Sequence, residues 1–140
     1  MRYWLFKSEP DTWSWDQQVA KGSEGEEWHG VRNYQARNNM RAMRIGDRGF
    51  YYHSNVGKEI VGIVEVCRES AQDSTTDDPR WDCVHIRAVR PLAQPVTLEV
   101  CKVHPELKGM VLVNNSRLSV QPVSEAEWRV ICGLGGVSPD

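Results

Sequence analysis

The sequence lacks the features that assign proteins to several large classes. No run of about 18 apolar residues occurs, so no segment is predicted to span a membrane. The first ten residues reach a charge at Lys7 before any long apolar stretch, and we expect no secretory signal. The Gly-rich phosphate loops, the GxSxG elbow and the HExxH zinc motif are all missing. These absences argue against membrane, nucleotide-hydrolysing, esterase and zinc-protease functions.

Cysteine is present but not in a pattern that binds metal. None of the four cysteines forms a CxxC pair, and the histidines are equally scattered. With no secretory signal, reduced and mostly buried thiols of a cytoplasmic protein are favoured, and a disulfide framework is the minor alternative. We expect neither a metal nor a cofactor. The cysteines are Cys67, Cys83, Cys101 and Cys132.

Net charge is also low, and it is unevenly placed. The 140 residues suit one domain over 1–140 and carry a formal charge of -2, which argues against a general polycation. From Arg32 to Arg48, however, there are five arginines and one acid. Such a segment can hold phosphates locally. The acidic pairs Glu26-Glu27 and Asp77-Asp78 are interpreted as solvated surface.

Tryptophan is the residue type in excess, with six among 140 residues. Packing in a core accounts for Trp4 and Trp128, which lie in strongly apolar or amphipathic segments. The indole ring is also the best side-chain surface for stacking a planar base. Some of the remaining four are therefore candidates for a binding site.

Hydrophobic periodicity and turn residues predict an α+β fold. The elements run strand, two helices, several consecutive strands and a final helix, which favours a mainly antiparallel sheet. Such strands can curl into a small β-barrel with flanking helices at its mouth. Predicted strands are Arg2–Lys7, Arg48–His53, Glu59–Arg68, Trp81–Val89 and Arg117–Val120, and predicted helices are Trp13–Ala20, Arg32–Arg44 and one from Ser124 to about Cys132.

Finer details of these elements are also predicted. Asp11 or Thr12 is expected to cap the first helix. Ala36, Met40 and Met43 form an apolar stripe at helical spacing on the second helix. Pro91 and Pro95 are expected to bracket a turn, and Thr97–Val103 fits either a helix or a strand.

The segment Trp28–Ser54 is dense in planar, amide and basic side chains. Trp28 and Tyr34 can supply stacking surface, while amides and the Ser54 hydroxyl can read the edge of a base. Each feature alone has a structural explanation, since amides cap helices and arginines solvate helix faces. Together they predict a polar and aromatic pocket. The amides are Asn33, Gln35 and Asn38, and the predicted phosphate-contacting residues are Arg32, Arg37, Arg41 and Arg44.

Catalysis is the weaker interpretation. Ser8 and Ser54 are candidate nucleophiles only if a base lies beside them. His53 adjoins Ser54, but neighbouring residues of a strand point to opposite faces. His53 is therefore favoured as a structural or ligand-contacting residue. In a second candidate segment, Arg117 and Ser119 are expected to share one face of a strand while Leu118 and Val120 face the core.

Four stretches together resemble the EVE domain family: YWLFKSEPDTWSW, WHGVRNYQARNNMRAMRIGDRGFYYHS, GIVEV and SRLSVQPVSEAEW. The resemblance runs from Arg2 to about Ile131. It implies a PUA-like fold, a small β-barrel with flanking helices related to the ASCH and YTH domains. It also implies binding of modified bases such as 5-methylcytosine in DNA or RNA. By motif position, the pocket would be lined by Ser8, Pro10, Trp28, Asn33, Tyr34, His53, Ser54, Arg117, Leu118 and Ser119.

The YTH relationship further implies an aromatic cage drawn from Trp13, Trp15 or Trp28, of which we favour Trp28 and then Trp13. The resulting hypothesis is a non-enzymatic, monomeric protein that binds a flipped modified base of a nucleic acid and holds phosphates with arginines. One alternative is an enzyme acting on a nucleotide or modified base through His53 or Glu9. Another is a small-molecule-binding module that uses the same pocket.

Overall fold

The computed structural model describes residues 1–140 as a six-stranded sheet with five α-helices packed against it. A short 3-10 helix covers Gly22–Glu24. The strands are β1 (Tyr3–Ser8), β2 (Glu26–Glu27), β3 (Arg48–His53), β4 (Glu59–Gln72), β5 (Asp82–Thr97) and β6 (Val120–Val123). The helices are α1 (Trp15–Ala20), α2 (Tyr34–Ala42), α3 (Leu98–Val103), α4 (Val111–Asn114) and α5 (Glu125–Gly135).

The sheet has the order β2-β5-β4-β3-β1-β6, and every pair is antiparallel except β1 with β3. The predicted α+β class with a mainly antiparallel sheet is confirmed. The predicted closed barrel is wrong, because β2 and β6 lie at opposite edges and do not pair with each other. These edge strands have only two and four residues, too few to form a closing ladder.

The two longest strands extend beyond their predicted ends. β4 continues to Gln72, and β5 runs through Pro91 and Pro95, where a turn was predicted. That turn prediction is wrong because the outer edge of β5 is free at this end. β2 pairs only with His85 and Ile86, so no strand lies along the outer edge of β5 at its prolines, and Pro95 falls within a register shift of the β4–β5 ladder.

Side-chain caps fix where four of the five α-helices begin, and for α5 the cap is Ser124. Ser14, not Asp11 or Thr12, caps α1 through a capping box with Gln17. Asn33 caps α2, which is therefore shorter than the predicted Arg32–Arg44. Thr97 caps α3, which resolves the ambiguous segment as a helix.

The segment Arg117–Val120 was predicted to be a strand, and this is wrong. β6 begins only at Val120, after a turn at Ser116-Arg117 and a bend at Ser119. Leu118 and Val120 are nonetheless buried, as expected.

Alternation along β1 and β3 divides the core into two clusters on opposite faces of the sheet. Trp4 and Phe6 lie in one cluster with Tyr51, while Leu5 and Phe50 lie in the other. The first cluster includes Trp4 and packs under α2, and the predicted apolar stripe of Ala36, Met40 and the C-cap residue Met43 is fully buried. The second packs under α5 and includes Trp128, which stacks on Phe50 at 4.1 Å between ring centroids. The expected core roles of Trp4 and Trp128 are confirmed.

A close approach between β4 and α1 fixes the position of that helix. Gly62 faces the ring of Trp15, and a Cβ built on the glycine would lie 2.4 Å from Trp15 Cη2. Only glycine leaves room for the indole there. Trp15 in turn packs edge-to-face on Tyr51, with 5.5 Å between centroids.

We predict that Gly62→Ala lowers the free energy of unfolding by about 1–3 kcal/mol, because the methyl group must displace the Trp15 ring. Urea unfolding measures the change. Gly133→Ala in α5 is the matched control, since nothing lies within 4 Å of its Cβ position, and it is expected to stabilise the helix by about 0.5–1 kcal/mol. Equal stability of the two variants would contradict the prediction.

Candidate functional site

A cavity of about 590 Å³ opens at the end of β1, between the turn that precedes α1 and the segment that joins β2 to α2. We call it the Trp28 cavity. Its lining residues are Lys7, Ser8, Glu9, Thr12, Trp13, Glu26, Glu27, Trp28, His29, Gly30, Val31, Arg32 and Ser119. Among the predicted site residues, the lining therefore brings together Ser8, Trp13, Trp28, Arg32 and Ser119.

Trp28 forms an aromatic wall anchored in the core. Its side chain is only 8% exposed, and it meets Phe6 and Tyr51 edge-to-face at 5.6 and 5.8 Å between centroids. The Trp28 N–H donates to the Val84 carbonyl at 2.8 Å, which continues the short β2–β5 ladder. Trp28 is thus held rigidly before any ligand binds.

Trp13 places a second indole in the cavity lining. Its Nε1 donates to Gln18 Oε1 at 3.0 Å, and the buried Gln18 amide donates onward to the Ile86 carbonyl at 2.9 Å. Tyr51 donates its hydroxyl to the Trp13 carbonyl at 2.5 Å. Burial raises the pKa of Tyr51 far above its usual range, so the phenol remains a donor. Trp15 is not in the cavity lining.

Lys7 is a cavity residue that sequence reasoning missed. Its Nζ donates to the Ser116 carbonyl at 2.9 Å, and burial lowers its pKa. No carboxylate forms an ion pair with it. Its position beside Ser8 in the KSEP motif was the available signal.

Three carboxylates also line the cavity. Glu9 Oε1 accepts from Asn55 Nδ2 at 2.9 Å, and Glu27 Oε1 accepts from the Ser74 hydroxyl at 2.5 Å. The interpretation of Glu26-Glu27 as solvated surface is wrong, because both residues pair with β5 and are half-buried. The cavity therefore combines acceptors with two cationic donors, Lys7 and Arg32.

Asp73 braces the far side of the cavity. Its side chain is 1% exposed and accepts hydrogen bonds from the Gly30 N–H at 2.8 Å and from Arg32 Nη1 at 3.0 Å. Burial alone would raise the pKa of Asp73, but the hydrogen bonds from Thr75, Gly30 and Arg32 outweigh burial and hold the pKa well below its usual range. The charged carboxylate thereby fixes the Gly30–Arg32 wall.

The four predicted phosphate-contacting arginines differ in whether a carboxylate of the protein pairs with the guanidinium. Arg32 pairs with Asp73, Arg41 with Asp82 at 2.6 Å, and Arg44 with Glu69 at 3.4 Å. Arg37 alone has no carboxylate partner. It donates to the Arg80 carbonyl at 2.9 Å, and its guanidinium lies over the Tyr34 ring at 4.8 Å.

Other predicted residues lie outside the cavity lining. Asn33 Oδ1 accepts from the Ala36 N–H as the cap of α2. The half-exposed Tyr34 stacks on Trp81, with 5.1 Å between centroids. Both therefore belong to an outer surface next to Arg37. The remaining predicted residues outside the lining are Pro10, Gln35, Asn38, His53, Ser54, Arg117 and Leu118.

His53 and Ser54 serve the framework behind the cavity. His53 Nε2 accepts from the Trp15 N–H at 3.0 Å, and burial lowers the pKa of His53, which favours this neutral acceptor. The Ser54 N–H donates to the Ser8 carbonyl at 3.0 Å. Arg117 is exposed on the turn before β6, while Leu118 is buried.

One group of side chains could in principle hold a metal. Ligand atoms of Glu27, Asp73 and Cys83 lie within 4.8 Å of one another. The set fits a cation poorly, because Arg32 already neutralises Asp73 and burial raises the pKa of the Cys83 thiol to about 12. All four cysteines are free thiols. None of the helices has the length and hydropathy of a membrane-spanning segment.

We predict that Asp73→Asn lowers the free energy of unfolding by about 1–3 kcal/mol at pH 7, because Arg32 and two backbone donors lose a charged acceptor. The folded-state pKa lies below its ordinary value of 3.8, so this stabilisation is present above about pH 4 and is lost as the pH falls below it. Urea unfolding at pH 7 and pH 3 measures the difference. A native-to-variant gap that stays constant over this range would contradict the assignment; the exposed Asp77→Asn is the control.

Comparison with solved structures gives two near neighbours of this arrangement. A protein from Agrobacterium tumefaciens is 61% identical with a TM-score of 0.97, and the alignment covers 98% of this chain and 94% of that one. Human THYN1 protein, solved in complex with 5-methylcytosine-containing DNA, is 31% identical with a TM-score of 0.91. That alignment covers 99% of this chain and 100% of the human one. A Zygosaccharomyces rouxii YTH domain at 17% identity and a TM-score of 0.58 shares the fold alone.

Sequence comparison agrees with these neighbours. Thymocyte nuclear protein 1 of Mus musculus is 34% identical over 169 residues, which covers 98% of this chain and 75% of the mouse protein. The profile of the EVE domain matches residues 2–134. The chain therefore belongs to the EVE domain family.

Proposed function

We propose that this protein binds a modified base of a nucleic acid in the Trp28 cavity, without chemical turnover. The observation that carries the proposal is the pair of indoles, Trp13 and Trp28, lining one cavity with polar groups around them. A base needs a flat apolar surface to stack on and donors or acceptors for its edge. A cavity of about 590 Å³ falls in the usual range for small-ligand sites.

The relative solved with 5-methylcytosine-containing DNA supports this choice of ligand. That human protein is 31% identical to this chain and aligns with 99% of it, which supports a shared binding site. The first probe is DNA that carries 5-methylcytosine and is either single-stranded or locally opened. RNA carrying the same base is the second.

Arg37 and Arg32 are the proposed phosphate contacts. Arg32 lines the cavity, and Arg37 keeps an unpaired charge on the adjoining surface. Arg41 and Arg44 contribute less in this proposal, because each already pairs with a carboxylate of the protein. A paired guanidinium must lose one partner to gain a phosphate.

The absence of turnover is part of the proposal. A general base needs an open lone pair, and His53 Nε2 is occupied by the Trp15 N–H. Glu9 lies in the lining, but its carboxylate accepts from Asn55, and the only serine donating to Glu9 reaches its backbone carbonyl.

A second candidate ligand is a small organic cation, which the three lining carboxylates and two indoles favour. Competition distinguishes the two. If 5-methyl-2′-deoxycytidine displaces a bound oligonucleotide and tetramethylammonium does not, the modified base is supported as the ligand.

We predict that Trp13→Ala weakens binding of an oligonucleotide with one 5-methylcytosine by roughly tenfold or more, because a stacking surface is lost. Fluorescence anisotropy at fixed salt measures the affinity. Trp13 is half-buried, whereas the buried Trp28 would leave a hole in the core if truncated. Trp13→Phe is the control and should retain most of the affinity. Unchanged binding by a folded Trp13→Ala protein would count against the cavity as the base site.

We predict a different effect for Arg37→Ala. Affinity should fall for modified and unmodified oligonucleotides alike, and the slope of log K against log salt should become less steep by about 0.7 for single strands, as for the loss of one phosphate contact. Titrations at several salt concentrations give the slope. Arg129→Ala in α5 removes an equal charge from a residue distant in sequence, and it should change neither the affinity nor the salt slope. A loss confined to the modified oligonucleotide would assign Arg37 to base recognition instead.

A further inference from the structure

The carboxylates in the Trp28 cavity need an explanation if the ligand carries phosphates. Three glutamates line the cavity against two cations, so the lining is acidic where a polyanion is proposed to bind. Like charges repel, and such residues are unfavourable unless the bound group offers hydrogen-bond donors. The exocyclic amino group of cytosine or adenine is such a donor, and thymine and uracil have none.

Glu26 is the carboxylate placed to meet such a donor. It pairs with Ile86, whose side chain is fully buried in the cluster that contains Trp28, whereas Glu27 pairs with His85. Alternation along a strand therefore puts Glu26 on the Trp28 side. Lys21 Nζ lies 3.9 Å from Glu26 Oε2 and 5.9 Å from the centroid of the Trp13 ring. Glu26 and Trp13 therefore share one edge of the cavity.

Glu26 also retains capacity to accept. A carboxylate offers about four lone-pair positions, and Glu26 uses one for the Glu27 N–H at 3.2 Å. Lys21 is half-exposed and distant, so its pairing is weak. Glu27, by contrast, holds the Ser74 hydroxyl.

Lys7 provides the complementary donor in the same lining. Its ammonium group has three N–H donors and uses one of them for the Ser116 carbonyl. A cytosine presents an amino group at one end of its pairing edge and a carbonyl at the other. Glu26 and Lys7 match these two groups, whereas a thymine or uracil would place a carbonyl oxygen against the Glu26 carboxylate.

We propose that Glu26 accepts a hydrogen bond from the exocyclic amino group of the bound base, so that the cavity selects amino-bearing bases over thymine and uracil. This inference rests on the proposed function. It assigns the choice of base edge to Glu26, while the two indoles supply affinity for any planar ring.

The test compares 5-methylcytosine with thymine at one position of otherwise identical single-stranded oligonucleotides. Both bases carry the same 5-methyl group, and a single strand removes the cost of opening a base pair. We expect the native chain to bind 5-methylcytosine roughly tenfold or more tightly than thymine, as for one good base-edge contact.

Glu26→Gln should bring this ratio close to one, because an amide can donate to the thymine carbonyl as well as accept. Glu24→Gln is the matched control, since it removes the same charge from an exposed residue outside the cavity lining and should leave the ratio unchanged. Thermal unfolding confirms that each variant is folded.

The outcomes separate the two proposals. Equal binding of 5-methylcytosine and thymine by the native chain, or a ratio that Glu26→Gln does not alter, overturns the role of Glu26 and leaves base binding standing. Absence of binding to either oligonucleotide overturns both.

Discussion

The parallel pairing of β1 with β3 is the constraint on which the site depends. Parallel neighbours cannot be joined by a tight turn, so the chain must cross over between them. Residues 9–47 make that crossover, which contains α1 and α2 and supplies β2 as the far edge strand of the sheet. Because both strands end at the same edge, Ser8 and His53 lie side by side there. The Trp28 cavity forms between this edge and the crossover.

Rigidity of the cavity comes from buried polar links within the crossover. Gln18 connects Trp13 to β5, Tyr51 holds the Trp13 carbonyl, and Asp73 holds the Gly30–Arg32 wall. Each link satisfies a polar group that would otherwise be costly to bury. Walls fixed in this way need little reordering when a flat ligand enters, which lowers the entropic cost of binding.

Electrostatics divides the surface around the cavity into distinct parts. Most of the arginine-dense segment is neutralised by carboxylates from β4, β5 and the loop between them, which leaves Arg37 with the free charge. The low net charge of the chain is consistent with this local pairing. Lys7 adds a second cation without a carboxylate partner in the cavity lining, while the acidic β2 edge offers acceptors instead.

The sequence by itself determined the α+β class, the bounds of β3, the buried stripe of α2 and the core roles of Trp4 and Trp128. Each follows from local periodicity or turn chemistry. Tertiary structure decided the open sheet, the continuation of β5 through its prolines and the membership of the cavity. The cavity lining includes Lys7, Glu26 and Glu27, and it does not include Asn33, Tyr34 or His53. Which side chains meet depends on the β1–β3 crossover and on partners such as Asp73 and Trp15, and these contacts join residues distant in sequence.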